Sequence, residues 1–390
     1  MENCNNVVRI SVAGSGKTQW VIDQLCRPEI ASGKTVAISF TRHAQHELSE
    51  RLIQERTKGA IPRVIGWYKF LLDEIVRPYF PLLYANRRVN NLHYVRGVRN
   101  LQWKTGINRY IDSNNDAYSD TLSLLANRLL QKSGGKAIKR LEQIYDHIYI
   151  DEFQDMRGND LDIFEALFKS TIAISLVGDP RQSVISTSHS DTKKKKYHGS
   201  QIVNWLEEEK DNGLCTLDYD SKTYRYCQQI ADFADLIFPA GAFEASISQT
   251  DYPESDMGIF FIDDEEKTQY CDQHGNVTFL RYDKKTDPID HVETLNFGES
   301  KGITRDRILI QTTGPIRNLL LKEKELPETS ACGFYVAVTR ARYSVALVVP
   351  SPDSFMRKIK STSRFAGFPF HVWHPSKTDS SVCKNKNQNS

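Results

Sequence analysis

Apolar residues fall in short blocks along the chain, separated by polar turns, and two periods alternate. The short apolar run Val7 to Val12 reads as a buried strand. It leads into Ser11-Val12-Ala13-Gly14-Ser15-Gly16-Lys17-Thr18, and Gln19 to Leu25 reads as the start of a helix. Thr35 to Phe40 is a second strand, after which Thr41 caps a helix whose apolar face is Ala44, Leu48, Leu52 and Ile53. Val64-Ile65 predicts a third strand, and Trp67 to Val76 a helix that Pro78 ends. After a long aromatic-rich interval, strands return at His147 to Ile150 and Ile172 to Val177. A second set starts near Leu214. It has a helix over 226–238 stopped by Pro239, strands over 259–262, 277–280, 307–311 and 344–349, and helices over 315–321 and 331–340. There are no internal repeats. Strand, helix, strand, helix in this order predicts an α/β fold with parallel sheets.

Length and composition narrow the class. A chain of 390 residues holds two or three domains with sizeable cores. Apolar residues at 39% and charged residues at 26% describe a soluble globular protein. No run approaches the length of a membrane span, and the start is no signal peptide, so no membrane partner is expected. The seven cysteines are scattered and lack any C-x-x-C spacing, which argues for the reducing cytoplasm and against zinc or a disulfide frame.

The formal net charge is only +2, so any nucleic-acid affinity must come from local patches. One candidate patch is Tyr79 to Tyr118. There Arg87, Arg88, Arg96, Arg99, Lys104 and Arg109 outnumber Asp112 and Asp116, and aromatic residues interleave. This mixture suits a groove for a single strand, with rings stacking on bases and cations on phosphates. It also suits a helical subdomain with Tyr and Trp in its own core. The run Lys193 to Lys196 is a solvated loop or a phosphate-backbone contact. From His374 onward Ser, Asn and Lys dominate, which predicts a disordered tail.

The glycine-rich turn carries the first chemistry. Gly14 and Gly16 let backbone N–H groups of Gly14, Ser15 and Gly16 curl around an anion, and the following helix N-terminus adds its dipole. Lys17 would reach the β- and γ-phosphates, and the Thr18 hydroxyl would hold Mg²⁺. Ser11 stands where the full pattern has Gly, and an ordinary glycine-rich turn is the alternative. Asp151-Glu152, directly after an apolar strand, is the expected partner. Asp151 binds Mg²⁺, and Glu152 orients and deprotonates the attacking water. Gln182 also follows a strand end and could sense the γ-phosphate. Arg225 and Arg340 lie in the second set of elements. If that set faces the first, each could act as an arginine finger; otherwise each is a surface ion pair worth little.

Taken together, these residues resemble a family. Ala-Gly-Ser-Gly-Lys-Thr, Ser-Phe-Thr-Arg-His-Ala, Asp-Glu-Phe-Gln-Asp, Val-Gly-Asp-Pro-Arg-Gln-Ser, Thr-Tyr-Arg-Tyr, Gly-Glu-Ser-Lys-Gly-Ile-Thr and Tyr-Val-Ala-Val-Thr-Arg-Ala-Arg occur in that order. They are similar to motifs I, Ia, II, III, IV, V and VI of the UvrD/Rep/PcrA helicases of superfamily 1, over about Ile10 to Pro350. The resemblance implies two RecA-like P-loop domains with ATP between them. It puts Lys17, Thr18, Asp151, Glu152 and Gln182 on the first face, and Arg225 and Arg340 as fingers on the second. It further implies that Tyr224 stacks on the nucleotide base, that Gly302 lies at the nucleotide, and that Phe40 and Thr41 touch single-stranded DNA.

The departures from the family are specific. No glutamine motif precedes the phosphate loop. Gln19 stands where the family often has Arg. Ser186-Thr187-Ser188 replaces the segment bearing the Trp that stacks on DNA, and Thr304 replaces an acidic residue of motif V. The large insertion of the second core domain cannot fit, and that of the first is small. The resulting layout is a first RecA-like domain over 1–78 and 136–212, a helical insertion over 79–135, a second RecA-like domain over 213–373 and a tail over 374–390. Such short forms resemble the helicase-like partners of OLD-family TOPRIM nucleases in Gabija anti-phage systems. Two functions follow from the resemblance. One is an ATP-hydrolysing motor on single-stranded DNA, working with a nuclease in repair or antiviral defence. The other is an NTP-switched DNA-binding regulatory subunit with little unwinding of its own.

Overall fold

The structure is a computed structural model that describes residues 5–27, 30, 34–56, 60–95, 101–188, 190–252, 256–362 and 364–375. The chain divides into two compact units. Met1–Tyr224 together with Glu328–Gly333 form the first, and Arg225–Pro327 together with Phe334–Ser390 form the second. The expected tail from 376 onward, and Arg96 and Arg99, lie outside the described residues.

The first unit is built on six parallel strands: β1 (Val7–Ser11), β2 (Thr35–Ser39), β3 (Arg63–Gly66), β4 (His147–Asp151), β5 (Ala173–Gly178) and β6 (Thr216–Asp220). Their order across the sheet is β3-β2-β4-β5-β1-β6. Successive side chains of a strand point to opposite faces, so both faces are apolar and both are covered. Val36, Ile38, Ile148 and Ile150 face Trp67, Phe164 and Leu161. Ala37, Tyr149 and Val177 face Val21, Ile22 and Leu25 of the helix Lys17–Leu25, and Leu48 and Leu52 of the helix Arg42–Glu55. A fully buried side chain of this size contributes about 1.5–3 kcal/mol relative to exposure, so this two-sided core is what fixes the strand order.

The second unit has its own six-stranded parallel sheet. Its strands are β7 (Gly258–Ile262), β8 (Val277–Arg281), β9 (Thr294–Asn296), β10 (Arg305–Gln311), β11 (Ala341–Val348) and β12 (His371–Val372), in the order β9-β8-β10-β11-β7-β12. Two parallel α/β sheets, the first with a glycine turn after β1, make the α/β class that the pattern of strands and helices predicts, and they agree with the two RecA-like domains that the resemblance implies.

Local differences from the sequence reading have physical causes. Pro78 does not end its helix. The run Trp67–Phe70 passes through a π-helical stretch Leu71–Val76 into Arg77–Tyr79. Proline has no N–H for the carbonyl four residues earlier, and that carbonyl, on Glu74, accepts instead from Arg140 Nη1 at 3.1 Å. Ile53, expected on the buried face, is 61% exposed. The helix expected over 226–238 is regular only over Gln228–Asp235. Thr216–Asp220 pairs with β1, so the first sheet continues beyond residue 212. That edge strand is held by polar contacts. Asn6 Nδ2 donates to the Leu214 carbonyl at 2.8 Å, and Arg9 pairs with Asp218 and, at 2.7 Å, with Asp220.

Candidate nucleotide site and aromatic surface

The strand order places the carboxyl ends of β4, β5 and β1 side by side. In open parallel sheets, ligands bind outside this edge. The turn after β1 uses two left-handed residues, Gly14 at φ 77° and Gly16 at φ 84°, and Gly16 is the N-cap of the helix Lys17–Leu25. Side chains with a Cβ rarely adopt that conformation, so the glycines there are required by the turn. Lys17 Nζ donates to the Val12 carbonyl at 3.1 Å, which folds the side chain over the loop. Thr18 is half-buried beside it. The Tyr224 N–H donates to the Gly14 carbonyl at 2.9 Å, so the first unit brings Tyr224 to the loop, with its side chain 60% exposed. Gln19 does not point into the loop. It bonds Asp23 and Glu55, each at 2.9 Å, and accepts from Arg51.

Asp151 ends β4 and is buried, and its carboxylate accepts the Glu152 N–H at 2.9 Å. Glu152 holds a left-handed backbone at φ 59°, unusual for a residue with a side chain. Gln154 joins this turn to the next. Its amide donates to Glu152 Oε2, and its Oε1 accepts the Asp179 N–H at 3.2 Å. Gln182 Nε2 donates to Asp179 Oδ2 at 3.0 Å, and the buried Arg181 Nε pairs with Asp179 at 3.3 Å. Gly178 makes the approach possible, because a Cβ there would lie 2.2 Å from Gln154 Oε1. Sequence reasoning assigned no role to Gln154, Asp179 or Gly178. The spacing of Gln154 two residues after Glu152, inside Asp-Glu-Phe-Gln-Asp, is the signal that could have found the first.

The residues present fit a nucleoside triphosphate and Mg²⁺. Ser11, Ser15 and Ser39, all at this edge, carry buried hydroxyl oxygens with no hydrogen-bond partner. Buried hydroxyls are normally paired, and a bound phosphate group would offer these three a partner. One carboxylate and one hydroxyl, Asp151 and Thr18, are the donor set Mg²⁺ takes when phosphates complete its shell.

The segment Ser186-Thr187-Ser188 faces inward. Thr187 and Ser188 are buried. The Thr187 hydroxyl donates to Asp160, and Ser188 Oγ donates to the Asp120 carbonyl oxygen at 2.9 Å. Trp67 Nε1 donates to Asp160 at 2.7 Å. Burial pushes the Asp160 carboxyl above the usual carboxylate range, against the lowering effect of these donors.

In the second unit, Arg340 is buried. Its Nε donates to the Val336 carbonyl at 2.9 Å, Nη2 to Thr339 Oγ1 at 3.2 Å and Nη1 to the Ile303 carbonyl at 3.4 Å. Arg225 Nη1 donates to the Thr339 carbonyl at 3.3 Å. Arg225, Arg340 and the turn at Gly302, φ 92°, therefore meet at one corner of this unit.

The residues expected on DNA divide. The Thr41 hydroxyl accepts the Ala44 N–H at 3.1 Å and serves its own helix. Phe40 is half-buried against Tyr68, ring centroids 5.6 Å apart. Of the insertion's aromatics, Phe80, Tyr110 and Tyr118 are buried in the first core, whereas Tyr94 and Trp103 are 60% and 77% exposed. The lysine run is largely engaged. Lys193 and Lys194 pair with Asp162, and Lys196 with Glu208 at 3.4 Å.

Residues 99–194 match the UvrD/REP helicase N-terminal domain, a stretch that includes Asp151, Glu152 and Gln182. Comparison with the curated proteins gives no match. Among solved structures, the chain is similar to the arterivirus nonstructural protein 10 helicase, determined in complex with DNA. The identity is 13% and the TM-score 0.45, over 92% of this chain and 64% of that one. The chain thus spans less than two thirds of that helicase. Among the described residues, no helix is long and apolar enough to cross a membrane.

Proposed function

We propose that the chain is an ATP-hydrolysing, helicase-like motor that acts on single-stranded DNA in the cytoplasm. The observation that carries the reading is the convergence of the glycine turn, Asp151-Glu152 and Gln182 at three adjacent strand ends of one parallel sheet. The loop N–H groups and Lys17 bind the β- and γ-phosphates. Glu152 orients the attacking water and takes its proton, and Gln154 fixes the carboxylate that does so. Gln182 reports on the γ-phosphate. Arg225 and Arg340 balance the charge that develops in the transferred group. Tyr224 stacks on the base, and Gly302 lies at the nucleotide. Asp151 and Thr18 would hold Mg²⁺, which would supply charge neutralisation at the phosphates.

The test is NTP turnover with and without single-stranded DNA. The proposal expects turnover that the strand stimulates and that Lys17→Ala abolishes. Turnover indifferent to nucleic acid supports the second reading, an NTP-switched regulatory subunit. The inward-facing Ser186-Thr187-Ser188 favours that alternative, because it offers no ring to a strand. A nuclease partner of the OLD/TOPRIM type, with a role in defence, rests on the short architecture. Co-expression with such a nuclease and co-purification as one species is its test.

A further inference from the structure

β2 and β3 are neighbours in register, Ser39 opposite Gly66. The residues just past their ends therefore emerge side by side, Phe40 from one and Trp67-Tyr68 from the other. Trp67 is fully buried in the core, and Tyr68 packs against that core while staying only partly buried. The Tyr68 ring sits between two others, with Phe40 at 5.6 Å and Tyr94 at 6.1 Å, both edge-on. The Tyr68 hydroxyl donates to the Thr187 carbonyl, so this ring is tied to the loop that follows Gln182. Tyr94 is the outer member and is 60% exposed. The guanidinium of the exposed Arg42 lies 5.9 Å from the Tyr94 ring centroid.

We infer that Tyr94 and Arg42 form a nucleobase-binding site for single-stranded nucleic acid, with Tyr68 and Phe40 as the ring-on-ring support behind it. The inference rests on the motor reading above. An exposed aromatic ring beside a cation offers a strand both things it presents, a π-face for a base and a positive charge for the adjoining phosphate. The buried rings Phe80, Tyr110 and Tyr118 cannot do this, and Phe40 offers only a partly covered face. The site lies at the carboxyl edge of the sheet, two strands from Asp179 on β5's following turn, and Thr187 connects the two through Tyr68. The stacking ring is therefore supplied by the insertion, and the loop after Gln182 supports it from behind.

The experiment uses the full chain and a fluorescently labelled oligothymidylate, with a second strand of equal length carrying abasic sites. Wild type binds the base-bearing strand more tightly than the abasic one. Tyr94→Ala weakens binding of the base-bearing strand about 5- to 150-fold, the range of one lost stack, and erases the preference over the abasic strand. Tyr94→Phe retains both. Arg42→Ala lowers the affinity for both strands and makes it less dependent on salt. Circular dichroism confirms that each variant is folded. If wild type binds the strand and Tyr94→Ala binds it equally well with its preference intact, the site is wrong while the motor reading stands. If wild type binds neither strand, both fall.

Discussion

Replacing Gly178 by Ala tests whether the contact between the Asp151-Glu152 turn and the Asp179-Gln182 turn governs both stability and turnover. The new Cβ would lie 2.2 Å from Gln154 Oε1, 2.8 Å from Phe153 Cδ1 and 3.0 Å from Phe153 Cε1. Gln154 can swing its amide away, but doing so releases the Asp179 N–H and the Glu152 carboxylate together. Phe153 is fully buried and has no free direction. Overpacking of this kind costs about 1–3 kcal/mol. For a unit of this size that lowers the melting temperature by about 2–12 °C. The assay is thermal unfolding by circular dichroism, paired with NTP turnover below the transition. A double-mutant cycle with Gln154→Ala isolates the contact. The double variant should be less destabilised than the sum of the singles by about 0.5–3 kcal/mol, because the methyl then meets only Phe153. Strict additivity, or a Gly178→Ala protein with wild-type melting and turnover, refutes the reasoning.

Three further outcomes are expected. Lys17→Ala abolishes turnover and weakens nucleotide binding, whereas Glu152→Gln lowers turnover by about 10²- to 10⁴-fold and still binds nucleotide, as equilibrium titration against steady-state rates will show. Arg340→Lys keeps the charge but cannot reach the Val336, Thr339 and Ile303 oxygens together. It should therefore lose both turnover and melting temperature, and an unchanged melting temperature would contradict the bonding described. Asp160 has a raised pKa in the folded state, so the native protein binds its proton more tightly than the unfolded chain does. Its contribution to stability is greatest below the ordinary value of 3.8 and declines as pH rises through the raised one. Asp160→Asn removes that slope, so the melting temperature of wild type relative to the variant should fall with rising pH across that window.

The parallel sheets were legible because their strands are apolar on both faces and short, and because a glycine turn between strand and helix has few other uses. Thr216–Asp220 was harder to place. Thr-Leu-Asp-Tyr-Asp offers only Leu217 and Tyr219 as apolar residues, and the strand joins the first sheet because it pairs with β1, some two hundred positions away, where Asn6 and Arg9 add side-chain contacts. Pro78 misled for a related reason. A local rule about a missing N–H holds only until a distant guanidinium takes the stranded carbonyl, and Arg140 does so. In the candidate site, the residues that touch phosphate in the proposed reaction were visible from their motifs. Of those that position them, Gln154 stands in the same motif as Glu152, whereas the roles of Asp179 and Gly178 follow from a distance between two turns that sequence spacing does not encode. The insertion shows the limit most directly. Composition offered a nucleic-acid groove or a self-contained aromatic core as alternatives for Tyr79 to Tyr118. The fold assigns Phe80, Tyr110 and Tyr118 to the core and leaves Tyr94 and Trp103 outside it. Composition could not separate them, because an aromatic ring stabilises a core and binds a base through the same flat apolar face. What distinguishes Tyr94 is its neighbours, Arg42 at the start of a helix and Tyr68 past the end of β3, and both come from other parts of the chain.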